Sequence, residues 1–301
     1  MSSRSPFRFE PRRALGRTGF RATALGVGDL ADRTVPLQAL ADTLRRALDA
    51  GLNVVDTAPN YEDGLSELVV GAALKGRRQG VFLIDKIDHA DRPVAAQLDQ
   101  SLARLDLPSV DLLVFHAVSS LSAWRRLAAP GGGMEEVREC VQAGKARFRG
   151  ISSHHHEVLV AAIHSGLCDV VMFPVGPFCD ARYLEEVLPL AREARVGSVC
   201  FKAFGAGKLL ADTEGYGRPI GGARVVPPEP ALPHLDAAEC VRYALTCDPD
   251  VELLGLSTPA EQDLAFEAAA RFEPLGPERL ADLRRRATEA VEAKGEVWWN
   301  P

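Results

Sequence analysis

A chain of 301 residues with a net charge of −6, nearly half of it apolar, is long enough for one large α/β barrel or two small domains and can bury a sizeable core. Acids and bases are mixed along it, with no basic block or aromatic–basic stripe to mark a nucleic-acid surface. Its apolar runs fall far short of the roughly 20 residues that span a bilayer, and the opening "MSSRSPFRFEPRR" has no apolar signal core, so a cytoplasmic protein without a membrane partner is expected.

Residues 8–23 carry a "GRTG" turn between two short arms and read as a β-hairpin, placed to plug the N-terminal mouth of a barrel. Eight short apolar runs follow. They are "ALGVG" (24–28), "NVVDT" (53–57), "VFLIDK" (81–86), "DLLVFH" (111–116), "FRGIS" (148–152), "DVVMFP" (169–174), "GSVCFKA" (197–203) and "VELLGLS" (251–257). They are rich in β-branched residues and bounded by turn formers, as buried parallel strands are. Amphipathic stretches separate them, such as "PLQALADTLRRALDAG" and "HEVLVAAIHSG", each ending on a C-terminal glycine. Eight strand–helix alternations predict a (β/α)8 TIM barrel with an N-terminal β-hairpin, a single domain over 1–301. A doubly wound open sheet is the competing arrangement. It would carry G-x-G-x-x-G after its first strand, and "GVGDLADR" lacks the third glycine. Residues 212–233, rich in Gly and Pro, read as a long loop at the functional face.

The strand ends carry the chemistry. The second run leads into Asp56, with Tyr61 one loop-length beyond. The third ends near Lys86 and the fourth at His116. Side chains alternate faces along a strand, so Lys86 shares a face with Phe82 and Ile84, and His116 with Leu112 and Val114. If those faces point inward, Asp56, Tyr61, Lys86 and His116 ring one mouth. A free phenol has a pKa of about 10, and a neighbouring ammonium lowers it. A carboxylate would hold that ammonium, and an imidazole would hydrogen-bond a substrate oxygen. The set suits proton transfer to a carbonyl oxygen gaining negative charge. Singly, each residue has an ordinary reading as a cap, a packing anchor or a snorkelling side chain. The functional reading rests on the four together.

These stretches resemble the aldo-keto reductase family. The matching text is "ALGRTGFRATALGVG", "GLNVVDTAPNYEDGLSE", "VFLIDK", "SLARLDLPSVDLLVFHAV", "AGKARFRGISS" and "VGSVCFKAFGAGKLL", in family order from about residue 13 to 270. The resemblance implies an eight-stranded barrel, a nicotinamide cofactor bound without a Rossmann motif, and a tetrad that falls on Asp56, Tyr61, Lys86 and His116. By it, Tyr61 is the general acid in carbonyl reduction and the base in alcohol oxidation, Lys86 held by Asp56 tunes it, and His116 orients the carbonyl of a small-molecule substrate. Ser152, Ser153 and Met172 fall where relatives grip the nicotinamide amide, with Ser153 in place of an Asn and Met172 in place of a Gln. Phe201 falls where an aromatic ring stacks on the nicotinamide. Lys202, Phe204, Gly205 and Gly207 begin the pyrophosphate loop. Ser257, Thr258 and Gln262 lie where relatives place a cation on the 2′-phosphate of NADP; Ser257 and Thr258 would either cap the helix that follows or bind phosphate through backbone amides at its N-terminus. This stretch has no cation, so NADP is the family default with NAD possible.

Other features carry less. "HHH" at 154–156 is not expected to bind metal, because adjacent helical side chains point about 100° apart; the resemblance places the start of this helix near the cofactor and implies a substrate or nicotinamide contact there. Trp298 and Trp299 read as cover for the barrel wall, or otherwise as pocket lining. "KGRRQG" at 75–80 reads as a solvated turn. The six cysteines form no C-x-x-C pair and read as reduced core thiols. Loops near 117–133 and 207–233 would set the substrate, with Val118, Trp124 and Phe178 as a possible apolar wall. A non-catalytic nicotinamide-binding regulatory or redox-sensing subunit on the same fold is the alternative function, and a metal-dependent hydrolase a third with few candidate ligands.

Overall fold

In the computed structural model, which describes residues 5–215, 218–219 and 232–300, the eight apolar runs are strands. After β1 (Arg13–Ala14) and β2 (Arg21–Ala22) come β3 (Leu25–Val27), β4 (Val54–Asp56), β5 (Phe82–Ile87), β6 (Leu112–Phe115), β7 (Phe148–Ser152), β8 (Val170–Pro174) and β9 (Gly197–Phe201). A short antiparallel pair, β10 (Thr213–Gly215) and β11 (Arg218–Pro219), precedes β12 (Val251–Leu254). Strands β3–β9 and β12 close into one parallel barrel, with β12 between β9 and β3. The helices are α1 (Leu37–Asp49), α2 (Leu65–Leu74), α3 (Val94–Leu105), α4 (Leu121–Ala128), α5 (Gly133–Gln142), α6 (His156–His164), α7 (Leu188–Glu193), α8 (Ala237–Cys247), α9 (Pro259–Ala270) and α10 (Pro277–Val291). This is the expected (β/α)8 barrel. Of the loop expected over 212–233, residues 216–217 and 220–231 lie outside the described residues. No helix among the described residues is long and apolar enough to cross a membrane.

The period of two decides which residues fill the barrel. Val54, Phe82, Ile84, Leu112, Val114, Val170, Met172, Val199, Val251 and Leu253 form one buried cluster inside it. Their strand neighbours Val55, Leu83, Leu113 and Val171 join a second cluster, between the wall and the helices. Apolar side chains thus occur on both faces of β4, β5, β6 and β8, which is why those runs read as continuous.

The hairpin does plug one end. Leu15 is fully buried with the barrel interior, and the Phe20 ring lies 5.0 Å from Phe82, which stacks on Phe148 at 5.9 Å. The turn seats on the barrel through Gly16, whose φ is +47° and where a Cβ would lie 2.2 Å from the Gly197 nitrogen. Gly16→Ala should therefore lower the urea midpoint by the equivalent of about 2–3 kcal/mol, from overpacking and a left-handed backbone. Gly19→Ala, at φ +73° with nothing within 4 Å of a Cβ, is the control for backbone strain alone.

The turn at 75–80 is solvated as expected, with every residue exposed except the partly buried Arg78. Arg78 donates to the Val81 carbonyl and to Asp111 Oδ2, each at 2.5 Å, and Asp111 is buried. All six cysteines are unpaired, four of them buried.

Candidate active site

The alternation that fills the barrel also aims three of the four expected residues. Asp56 follows Val54 on the inward face of β4, and Lys86 follows Phe82 and Ile84 on β5. His116 lies one residue past β6, in step with Leu112 and Val114. Tyr61 opens a short 3-10 turn over Tyr61–Gly64, in which Glu62, Asp63 and Gly64 are all left-handed at φ 46°, 50° and 87°. That tight curl swings the phenol back over the mouth. Arg33 braces it, donating to Glu62 Oε2 at 2.9 Å and to Asp63.

The four converge. Lys86 Nζ donates to Asp56 Oδ1 at 2.6 Å and to the Thr57 carbonyl at 2.8 Å, and lies 4.5 Å from the Tyr61 ring centroid. Lys86 and Asp56 are both almost fully buried. Burial pushes the Asp56 carboxyl above the usual carboxylate range, and Lys86 opposes that rise. His116 meets Tyr61 edge-to-face, with ring centroids 5.7 Å apart at 78°. Its Nδ1 lies 2.6 Å from Asp88 Oδ1. Burial lowers the His116 imidazole, with Asp88 opposing, which leaves the ring neutral near pH 7.

The expected cofactor residues divide. Phe201 ends β9 at the mouth, partly exposed, with His154 edge-on at 5.5 Å. After it the backbone is left-handed at Lys202, Gly205, Ala206 and Gly207, with φ 75°, 57°, 55° and 90°, a tight curl beginning just before Phe204. Burial lowers the Lys202 ammonium to about 8. Ser152 Oγ accepts from Ala117 N at 2.8 Å, which leaves its hydroxyl proton to donate. The Ser153 hydroxyl is spent: it donates to the Val118 carbonyl at 2.6 Å and accepts from His155 N at 3.1 Å. Met172 is wholly buried inside the barrel.

After β12 the sequence offered a helix cap or a phosphate site, and the cap is present. Thr258 caps α9, its oxygen accepting from Glu261 N while Glu261 returns a bond to the cap, and Ser257 precedes it, partly exposed. Gln262 is wholly buried between α1 and α9. There it donates to the Thr43 carbonyl at 2.9 Å and accepts from Arg46 Nη1 at 3.0 Å. Its amide braces two helices, with nothing left for a ligand phosphate.

The tandem tryptophans part company. Trp299 is buried, edge-on to Phe178 at 5.9 Å, as a wall residue should be. Trp298 is 59% exposed and lies at the mouth, 5.4 Å from His154 and with Lys202 Nζ 5.9 Å from its ring centroid. Val118 and Trp124 belong to the layer between wall and helices, so they do not form the apolar pocket wall suggested by the sequence. Among the described residues no three His, Cys, Asp or Glu side chains are grouped to hold a metal ion.

Sequence reasoning missed one residue here. Asp88 lies two positions after Lys86, so strand parity aims it to the same side, and that signal was readable. His154, in the tract that the resemblance places near substrate or nicotinamide, lies beside Phe201 and Trp298 at the mouth. Its Nδ1–H donates to the Trp299 carbonyl at 2.8 Å, and its own carbonyl accepts from Tyr183 Oη at 2.6 Å.

The Aldo/keto reductase family model matches residues 23–226. Among curated relatives, Aldo-keto reductase YhdN of Bacillus subtilis (strain 168) is 29% identical over 231 residues, 67% of this chain and 65% of its own length. L-galactose dehydrogenase of Arabidopsis thaliana is 27% identical over 65% of this chain and 66% of its own. A putative voltage-gated potassium channel subunit beta of Schizosaccharomyces pombe is 27% identical over 68% of this chain and 63% of its own. The chain thus spans just under two thirds of these relatives' lengths. Of solved structures, an aldo-keto reductase from Klebsiella pneumoniae in complex with NADPH matches at TM-score 0.68 and 22% identity, over 90% of this chain and 94% of that one. The holo form of aldo-keto reductase AKR11C1 from Bacillus halodurans matches at TM-score 0.67 and 23% identity, over 98% and 100%. At those identities the structural likeness shows the fold.

Proposed function

The chain belongs to the aldo/keto reductase family, and from that premise we propose that it transfers a hydride between a nicotinamide cofactor and the carbonyl or alcohol carbon of a small aldehyde, ketone or sugar, with Tyr61 as the proton donor and acceptor. The observation that carries this reading is the Lys86 ammonium, anchored on Asp56 at 2.6 Å and set 4.5 Å from the Tyr61 ring centroid. An ammonium so placed lowers the phenol toward a working acid. In reduction, the hydride adds to the carbonyl carbon, the π pair moves to oxygen, and that oxygen takes the Tyr61 proton. Oxidation runs the same bonds in reverse, with the phenolate taking the alcohol proton.

The cofactor supplies the hydride when bound. The residues at the mouth fit it, with a thinner grip than the family pattern. Phe201 offers a ring to stack on, Ser152 has a hydroxyl proton to donate, and the Lys202–Gly207 curl is compact enough for backbone to approach a pyrophosphate. Ser153 and Met172 add no polar contact. Residues 255–263 hold no Lys or Arg, so NADP is carried by the family, whose Klebsiella member binds NADPH, and NAD is admitted. The regulatory-subunit alternative has a named relative of that kind. The complete, convergent tetrad favours the enzyme, because a binding module has no use for a Tyr–Lys pair.

Titrating the protein with NADPH and with NADH while following tryptophan emission tests the site, since Trp298 lies beside His154 and Lys202 at its rim. Saturable quenching by at least one is expected. Phe201→Ala should weaken it up to about tenfold, the worth of one aromatic stack. Quenching by neither would overturn the proposal.

A further inference from the structure

An imidazole that holds a carbonyl oxygen must offer it an N–H. His116 has a competing demand. Its Nδ1 lies 2.6 Å from Asp88 Oδ1, and a carboxylate oxygen only accepts, so the ring proton belongs on Nδ1. A neutral imidazole has one N–H, which leaves Nε2 as a bare lone pair. Burial of the ring opposes the second proton that would change this.

The pair is built into the fold. Asp88 follows Lys86 by two residues and so keeps its side of β5, and His116 N donates to the Ile87 carbonyl at 3.0 Å. That bond fixes the two backbones side by side. Both side chains are shielded, at 18% and 12% exposure. The charged groups facing the ring are Lys86 from β5 and Asp56 from β4, with Tyr61 edge-on and His154 from beyond β7. Asp88 also borders a cleft of about 390 Å³ that His89, Arg92 and Arg104 share.

We propose that Asp88 is a positioning residue that fixes His116 as the Nδ1–H tautomer, so that the mouth presents Nε2 as a hydrogen-bond acceptor and favours an alcohol ligand over a carbonyl one. An alcohol hydroxyl can bind by giving its proton to Nε2, although that proton is then not available to Tyr61, so the preference is one of binding. A carbonyl oxygen meets a lone pair there until the ring gains a second proton. Carbonyl reduction therefore strengthens as pH falls and the imidazolium forms. The tautomer stands on the Asp88 geometry alone, and its kinetic consequence rests on the hydride-transfer reading.

The test uses cofactor-free protein labelled with 15N at histidine, with the His116 signals identified by their loss in His116→Gln. At about pH 8 the wild type should show Nδ1 protonated and Nε2 bare. Asp88→Asn keeps the size of the side chain and offers an N–H to Nδ1, the exchange that gives the wrong tautomer in the serine-protease triad. It should move the proton to Nε2. Asp88→Leu removes the acceptor and should release the fixed Nδ1 proton, while Asp88→Glu should retain it. In Asp88→Asn carbonyl reduction at about pH 8 should rise by on the order of tenfold, given how strongly tautomer governs rate in that triad, and its pH dependence should flatten. Nε2–H in the wild type, or nitrogen signals unchanged in both Asp88→Asn and Asp88→Leu, would overturn the proposal. Absence of turnover with either cofactor would overturn the proposed function instead, and the nitrogen signals would still decide the tautomer.

Discussion

Tyr61→Phe should lower carbonyl reduction by about 10²–10⁴-fold, the usual worth of a positioned general acid, and leave folding and the cofactor titration unchanged. The substitution removes one oxygen and keeps the ring that Lys86 and His116 pack against, at 4.5 Å and 5.7 Å. The apolar cost is therefore small, and the loss reports proton transfer. The effect should fall on kcat more than on KM, because the proton moves as charge develops on the carbonyl oxygen. An equal loss of cofactor quenching would point to a collapsed mouth. Unchanged turnover would place the acid elsewhere.

Asp85→Asn should stabilise the protein at alkaline pH by about 2–5 kcal/mol, an order-of-magnitude figure from the linkage of protonation to folding. Asp85 points outward from β5 into the layer behind the tetrad, with no exposed surface. Its Oδ1 accepts from Lys86 N at 2.8 Å, and its Oδ2 has no partner. Glu67 is equally buried, with Oε2 on Arg104 and Oε1 unpartnered. Burial first, and then repulsion by Glu67, push the Asp85 carboxyl up to about 8. The unfolded chain loses this proton near pH 4, and the folded one holds it until about pH 8. Between those values the folded state binds more protons, so stability falls as pH rises across the window, and above it the deficit is constant. Asn removes the charge and can donate to Glu67. Its advantage in urea midpoint should grow from pH 4 to pH 8 and then level. A gain that does not vary with pH would contradict the assignment.

The barrel was legible because each strand is short, apolar on both faces and separated by an amphipathic helix, and the mouth residues because parity aims them. Val54 and Asp56 share a face for the same reason that Phe82, Ile84 and Lys86 do. Parity gives a direction and not a partner. His116 was aimed correctly, but its bond to Asp88 joins residues 28 apart in sequence, and that partner sets which nitrogen carries the proton. Ser153 was chosen for its hydroxyl, and the carbonyl that takes it belongs to Val118, 35 residues earlier. Gln262 lay in the right segment, yet the close approach of α1 and α9 buries it on Thr43 and Arg46. His154 was reached through the family resemblance and not through helix geometry, because the helix begins only at His156.

The most direct test of the central claim is deuterium transfer. The protein is incubated with NADPH, and separately NADH, deuterated at C4 of the nicotinamide, together with a range of small aldehydes and ketones, and the product alcohols are analysed by mass. Deuterium on the carbinol carbon with the wild type, and its absence with Tyr61→Phe, is the result expected. Saturable cofactor binding with no deuterium in any product would contradict hydride transfer at this mouth and return the chain to a binding role.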